Sequence, residues 1–459
     1  MPQDSMTASE RRVAFSLAGV FASRMLGLFL ILPVFTLYAE ELTGYTATLA
    51  GIALGIYGLT QALFQIPLGM LSDRIGRKPV IIGGLLVFAL GSVVAAMSTS
   101  IEGVILGRAL QGAGAIASAV MALAADLTRE EHRIKVMAFI GISIGISFAV
   151  AMVLGPVLHD WFGVPGIFWT TSLLALSGIG IISLFVPRPA ISRFHRDTEV
   201  EINWFRHAVT DRQLLRANFG IFSLHAILMG TFIVVPQLLH HGSELDVGRH
   251  WQIYLPVLFL SMALIVPFIL LAEKKRMIKQ ILSGAVLLLI LTELGLAALS
   301  GTMVGLVIML LLFFTAFNLL EAMLPSLVAK LAPAAHKGTA MGVYASSQFL
   351  GIFTGGLAGG WMMEHFGLQS VFIFNSALAA LWLLLVISMR KPRYLSSQLL
   401  NVGSLDETTA NQLADKLSRV AGVTEVTVIA EDGVAYLKVD KQELDQDALL
   451  AYSVTENAA

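Results

Sequence analysis

The sequence predicts an all-α membrane bundle, twelve transmembrane helices in two six-helix repeats, followed by a small α+β ferredoxin-like domain. Three observations predict it. Hydrophobic residues make up 56% of the 459 and charged residues only 13%, where a soluble protein carries roughly 25% charged. Long apolar stretches recur up to residue 390, each about the 20 residues that cross a hydrocarbon core of about 30 Å. After Arg393 the composition turns sharply polar.

The apolar stretches read as 12–39, 46–71, 78–98, 101–126, 133–159, 165–186, 213–240, 250–272, 277–299, 302–330, 337–363 and 367–389. Thr7 and Glu10 stand as a capping box for the first. The first ten residues are polar and the apolar run after Arg12 is too long for a cleavable leader. One set of loops carries Arg11 and Arg12; Arg74, Arg77 and Lys78; Arg129, Arg133 and Lys135; six arginines between 188 and 216; Lys274, Lys275, Arg276 and Lys279; Lys330 and Lys337; and Arg390, Lys391 and Arg393. The alternate set carries only Arg249. Positive loops stay on the cytoplasmic side. The asymmetry therefore predicts an inner (plasma) membrane protein, multi-pass, with both termini and the central linker in the cytoplasm.

The chain divides into an N-terminal six-helix half (1–190), a cytoplasmic linker (191–212), a C-terminal six-helix half (213–390) and a cytoplasmic domain (395–454). Within the linker, Trp204 and Phe205 lie among charges over 199–209, as either a short interfacial helix or a solvated tether. The halves repeat. Pro67 to Arg74 aligns with Pro267 to Lys274 at a shift of 200, and Ala151, Gly155 and Trp161 align with Gly351, Gly355 and Trp361 at the same shift. Duplicated six-helix halves are a transporter architecture with the substrate site between them. In the tail, 399–402 reads as a strand and 405–420 as a helix with Asp406 or Ser404 as N-cap. Residues 423–430 and 434–439 alternate around a Glu-Asp-Gly turn, a hairpin signal. A second helix over 444–450 and a last strand over 451–454 complete the order βαββαβ.

Several classes are excluded. There is no cysteine, hence no disulfide, thiolate or Cys-ligated metal. The net charge of −1 gives no field for nucleic acid. No lysine follows a glycine, so there is no phosphate-binding loop of a primary pump. No catalytic triad or His-x-x-x-His pair lies in a span, so the reading is not an enzyme, with no cofactor and no metal. The partners are the bilayer, a small-molecule substrate and protons; self-association through the tail stays open.

Gly69-Met-Leu-Ser-Asp-Arg-Ile-Gly-Arg-Lys78 packs four charges between the second and third spans. This loop resembles the signature of the major facilitator superfamily, Gly-x-Leu-Ala-Asp-Arg-x-Gly-Arg-Lys, with Gly69, Asp73, Arg74, Gly76, Arg77 and Lys78 in place. The resemblance covers about residues 10 to 390. It implies a conformational latch on the cytoplasmic side, with Asp73 accepting from a helix N-terminus of the other half and Arg77 pairing with an acid such as Asp126. Arg108-x-x-Gln111-Gly112 resembles a second signature, associated with proton transfer in proton-coupled members; a structural tie is the alternative. Residues 145–156 resemble the antiporter signature of drug/proton exchangers, but Ala151 and His159-Asp160 depart from it. In this superfamily the first and seventh helices line the cavity. Arg24 and His225 lie about 12 residues into those helices, near mid-membrane. Arg24 reads as a substrate contact or a buried pair with an acid, and His225 as a titratable proton carrier. Asn318 and Glu321 share a face at i, i+3, with Glu321 as the carboxylate for a proton or cation. Glu293, towards the outer end of its helix, reads as reaching water. Gln61, Gln65 and Asn218 line the cavity or bond between helices. The tail, with Val420-Ala-Gly-Val423-x-x-Val426, resembles heavy-metal-associated domains but lacks their Cys-x-x-Cys.

The function expected is proton-coupled secondary active transport by alternating access, exporting a small molecule. The alternatives are a uniporter or symporter, or a transporter-derived sensor signalling through the tail.

Overall fold

The computed structural model describes residues 6–187, 202–243, 246–390, 395–403, 405–430, 433–440 and 442–453. The first helix, α1 (Ala8–Phe29), begins on the expected capping box. The Thr7 amide donates to Glu10 Oε2 at 2.8 Å and the Glu10 amide donates to Thr7 Oγ1 at 3.1 Å. One helix is expected over 12–39, but α1 ends early and a short α2 (Phe35–Ala39) follows. Pro33 lies in the turn between them and cannot continue a helix. The next pair, α3 (Ala47–Ile75) and α4 (Arg77–Met97), meets at Gly76. Its φ of 97° is open only to a glycine without strain.

The fourth span is also broken, into α5 (Ile101–Ala113) and α6 (Ala117–Asp126). The break lies at Gly114, where a Cβ would stand 2.3 Å from the Gly84 carbonyl oxygen. Close backbone packing there outweighs helix continuity. The fifth and sixth expected spans form one stretch, α7 (Glu130–Leu184), broken at Gly163 by a φ of 65°. A linker helix α8 (Ile202–Ala208) precedes α9 (Arg212–Ser243), α10 (Trp251–Lys274), α11 (Ile278–Leu299), α12 (Met303–Leu331), α13 (Lys337–Phe366) and α14 (Leu368–Ile387). Trp204 of α8 stacks on His336 at 4.9 Å, so the linker helix docks on the start of α13. Residues 191–201 of the linker lie outside the described residues.

Ten helical stretches among the described residues are long and apolar enough to cross a membrane. One of them, Lys135–Leu184, has 50 residues, about 75 Å at about 1.5 Å per residue. α13 has 30 residues and is not among the ten, because its glycines, serines and glutamine dilute its hydropathy.

The two halves meet backbone to backbone where α3 crosses α13. A Cβ at Gly51 would lie 2.1 Å from the Gly356 carbonyl oxygen, one at Gly58 2.4 Å from that of Phe349, and one at Gly360 2.4 Å from that of Ala47. Small residues permit such approach. The Thr48 amide adds a bond to Glu364 Oε2 at 2.8 Å. These contacts run from the start of α3 to its middle. Further along, Gly69 presses on Ser118 of its own half instead. The halves therefore close most tightly at the end opposite residues 69–78.

The tail forms β1 (Ser396–Asn401), α15 (Glu407–Ser418), β2 (Val423–Ile429), β3 (Val434–Val439) and α16 (Gln446–Leu450). The sheet is antiparallel in order β1-β3-β2. Asp406 caps α15 by accepting from the Thr409 amide at 2.6 Å. The last strand expected over 451–454 is not formed by Ala451 and Tyr452, which turn, and Val454 lies outside the described residues. Along β3 alternate residues face opposite ways. Ala435, Leu437 and Val439 join Leu400, Leu417 and Leu449 in the tail core. Val434 and Tyr436 pack on Ala335 of the bundle. Lys438 Nζ donates to the carbonyls of Ala329 at 3.0 Å and Lys330 at 2.8 Å, the last turn of α12, where cations suit the helix dipole. Arg276 bonds Asp440 at 2.9 Å.

Burial lowers the Lys438 amine to about 8. The docked amine thus loses its proton while a free one, at 10.5, still holds it, so docking strengthens as pH rises between those values and is weakest below about 8. Lys438→Met removes both bonds and is expected to loosen the tail, seen as faster proteolytic release of residues beyond 395 with the bundle intact.

Candidate functional site

Each half brings a polar cluster towards the other. In the N-terminal half Arg24 is fully buried between the rings of Tyr57 and Phe88, its guanidinium 5.6 Å from each centroid. It donates to Gln61 Oε1, and Gln61 Nε2 donates to Gln65 Oε1 at 3.2 Å. No carboxylate pairs with Arg24 among the described residues. Its Nε and Nη1 have no hydrogen-bond partner, so the buried pair with an acid is not formed. A buried cation held by aromatic faces with two unused donors is a ready contact for an anionic or carbonyl group.

In the C-terminal half His225 Nε2 lies 3.9 Å from Glu321 Oε2 and 2.8 Å from Gln348 Nε2. Nδ1 lies 3.3 Å from the Ile221 carbonyl. That carbonyl fixes the proton on Nδ1, which leaves Nε2 to accept from Gln348. The Glu321 side chain is 36% exposed and that of His225 6%, while Glu321 Oε2, which faces the imidazole, is buried. Phe317 packs edge-on to the imidazole at 5.8 Å and stacks on Phe148 of the other half at 6.2 Å. Tyr57 likewise meets Phe349 at 6.3 Å. The two clusters thus approach each other on α13, at the adjacent Gln348 and Phe349.

The remaining sites fall around these clusters. Asn318 Nδ2 donates to Ser261 at 3.0 Å and ties α12 to α10. Asn218 is buried with its Oδ1 unpartnered. Arg108 has the geometry of a tie. It donates to the Ala53 and Leu54 carbonyls at 3.3 Å each and to Gln111 Oε1 at 2.8 Å, with Tyr57 under its guanidinium.

In the loop 69–78, Arg77 is 3% exposed. It bonds Asp73, Ser72 at 2.9 Å and the fully buried carboxylate of Asp126 at 3.3 Å. Lys78 donates to the Val186 carbonyl at 2.7 Å. Arg74 is exposed. Among the described residues Asp73 does not reach a helix N-terminus of the other half in this conformation. It pairs with Arg77 one turn away, because the halves close at the opposite end.

Residues 17–356 and 319–403 match the Major Facilitator Superfamily. The chain belongs to that superfamily. It is 48% identical over 442 residues to the inner membrane transport protein YajR of Escherichia coli K12, covering 95% of this chain and 96% of that one. It is 26% identical to the multidrug resistance protein MdtH of Aeromonas hydrophila, covering 75% of this chain and 86% of the relative. A bacterial homologue of the lysosomal transporter Spinster shares the fold, with a TM-score of 0.68 at 12% identity over 84% of this chain and 97% of that one. As a superfamily member the chain is a membrane transporter and not an enzyme.

Sequence reasoning missed Gln348, Tyr57 and Phe88. Gln348 follows two serines on a helix already rich in small and polar residues, which hides it. The two rings look like core.

Proposed function

We propose that this transporter couples export of a small molecule to protons, by alternating access across an inner membrane. The observation that carries the reading is the His225–Glu321 pair at 3.9 Å, backed by Gln348. An imidazole and a partly open carboxylate side by side can exchange one proton and present either charge to a substrate. Arg24, with Gln61 and Gln65, supplies the substrate-facing donors of the other half, with Asn218 and Asn318 flanking on the C-terminal side. Arg108 fixes α5 to α3 beneath Tyr57. The similarity to a multidrug resistance protein supports export as the direction.

The architecture we infer has twelve crossings, counting α7 as two, α5 with α6 as one, and α13. Both halves end their fifth crossing on a positive-φ glycine, Gly163 and Gly367, which supports a duplicated six-helix unit (1–190 and 213–390). The sheet order β1-β3-β2 suits a ferredoxin-like tail lacking one edge strand. With the lysine-rich loops and tail in the cytoplasm, the glycine-sealed end faces outwards and the state is inward-facing. In that state the latch of Gly69, Asp73, Arg74, Gly76, Arg77, Lys78 and Asp126 is held within its own half. When the cytoplasmic end closes, Asp73 becomes available to the other half.

Ligands found by thermal stabilisation of the purified protein, added to proteoliposomes, are expected to move protons with substrate. Glu321→Gln should cut the effect of a pH gradient on flux by a factor between about 5 and 150, the usual span of coupling energies. Flux indifferent to the gradient in the parent protein would overturn the coupling.

A further inference from the structure

We propose that Glu293, with Thr231 and Asn375, forms a second proton-binding site inside the C-terminal half, apart from the His225–Glu321 pair. Glu293 is expected from sequence to reach water near a helix end. Instead it is 0% exposed, with Thr231 at 0% and Asn375 at 1%. Thr231 Oγ1 donates to Glu293 Oε1 at 2.8 Å and Asn375 Nδ2 to Oε2 at 3.1 Å. Three helices, α9, α11 and α14, each contribute one member.

Two features point to a bound proton. Among the described residues no lysine, arginine or histidine pairs with Glu293. The apolar helix α14 has no charged residue, and α11 has only Lys279, fourteen residues or about 21 Å away. The charges of α10 and α12 are Glu273, Lys274, Glu321 and Lys330. On α9, Arg212 and Arg216 lie near its start and His240 and His241 near its far end. The nearest, His225, is six residues or about 9 Å from Thr231. An ionised carboxylate in such surroundings is costly.

The second feature is the hydrogen-bond count. Asn375 Nδ2 has two hydrogens but faces three acceptors, Glu293 Oε2, Thr231 Oγ1 at 3.2 Å and the Ile227 carbonyl at 3.3 Å. Its Oδ1 has none to accept from, though it is buried. The cluster is one donor short. A proton on Glu293 Oε1, donated to Thr231 Oγ1, supplies it and leaves the two Asn375 hydrogens for Oε2 and the Ile227 carbonyl. The polar atoms already stand 2.8–3.3 Å apart, hydrogen-bond spacing that leaves room for a proton and none for a metal ion. Gly230 makes the site possible, since a Cβ there would lie 2.8 Å from Asn375 Oδ1. The site does not depend on how transport is coupled, and its test needs no substrate.

Infrared spectra of the full chain in liposomes at neutral pH should show a protonated carboxyl C=O band that shifts in D2O. Glu293→Gln should remove it and Glu321→Gln should leave it. Thr231→Val, which keeps the acid but deletes one bond, should move its frequency and serves if Glu293→Gln does not fold. A carboxyl region that Glu293→Gln leaves unchanged, or that does not move in Thr231→Val, overturns the site. Loss of the parent's band on adding sodium at constant pH would also overturn it, in favour of a metal ion.

Discussion

Gly51→Val is expected to pry the two halves apart at the sealed end. A Cβ at Gly51 falls 2.1 Å from a backbone oxygen of α13, and ordinary contact begins at 3.4 Å. The helices must separate by at least 1.3 Å, the difference, before the two methyls are accommodated. Backbone cannot rotate aside as a side chain can, so the seal itself yields. Overpacking of this kind costs about 1–3 kcal/mol. Because the strain exists only where α3 and α13 touch, it also shifts the population towards states open at that end. Spin labels at Glu41 and Phe366 should report a longer distance, with a lower melting temperature. Gly141→Val, where a Cβ meets nothing within 4 Å, is the control. Unchanged distance and melting in Gly51→Val would show that the seal is not where conformations are decided.

Arg77→Met should be the most destabilising change in the loop 69–78. It removes the cation bonded to Asp126, whose side chain is 0% exposed, and to Asp73 and Ser72. Breaking a buried pair from one side costs about 3–5 kcal/mol, whereas replacing both members with apolar groups is close to neutral. A drop in melting temperature of roughly 3–5 °C is expected. Arg77→Met combined with Asp126→Leu should recover most of it. A double variant no more stable than the single one would assign the loss to Ser72 and Asp73 instead.

The sequence made the spans legible because apolar length is a one-dimensional property. It also placed the hairpin of the tail and the cap at Thr7. The boundary at Gly163 was expected, between the spans 133–159 and 165–186. The breaks at Pro33 and Gly114 were not, because apolar length runs through both, and the second depends on Gly84, distant in sequence. Of the interior polar residues, His225 and Glu321 were visible as isolated titratable groups, and the structure brings them together. Glu293 was misjudged because depth along a helix does not tell which way a side chain faces. Its partners Thr231 and Asn375 are neutral and common in membrane helices, and only the crossing of three helices makes them a set. Arg24 was found, but its aromatic clamp was not, since a ring beside a cation reads like any core ring.

The glycine turns have a practical side. Gly163 and Gly367 each reverse the chain with almost no loop, at the end where α3 and α13 are sealed. At those two turns there is little chain for an antibody fragment to grip or a protease to cut. The opposite end offers the linker helix, the charged loop and the tail. Reagents selected to trap this transporter for imaging will come mostly from that side, and those seated between tail and bundle will compete with Lys438.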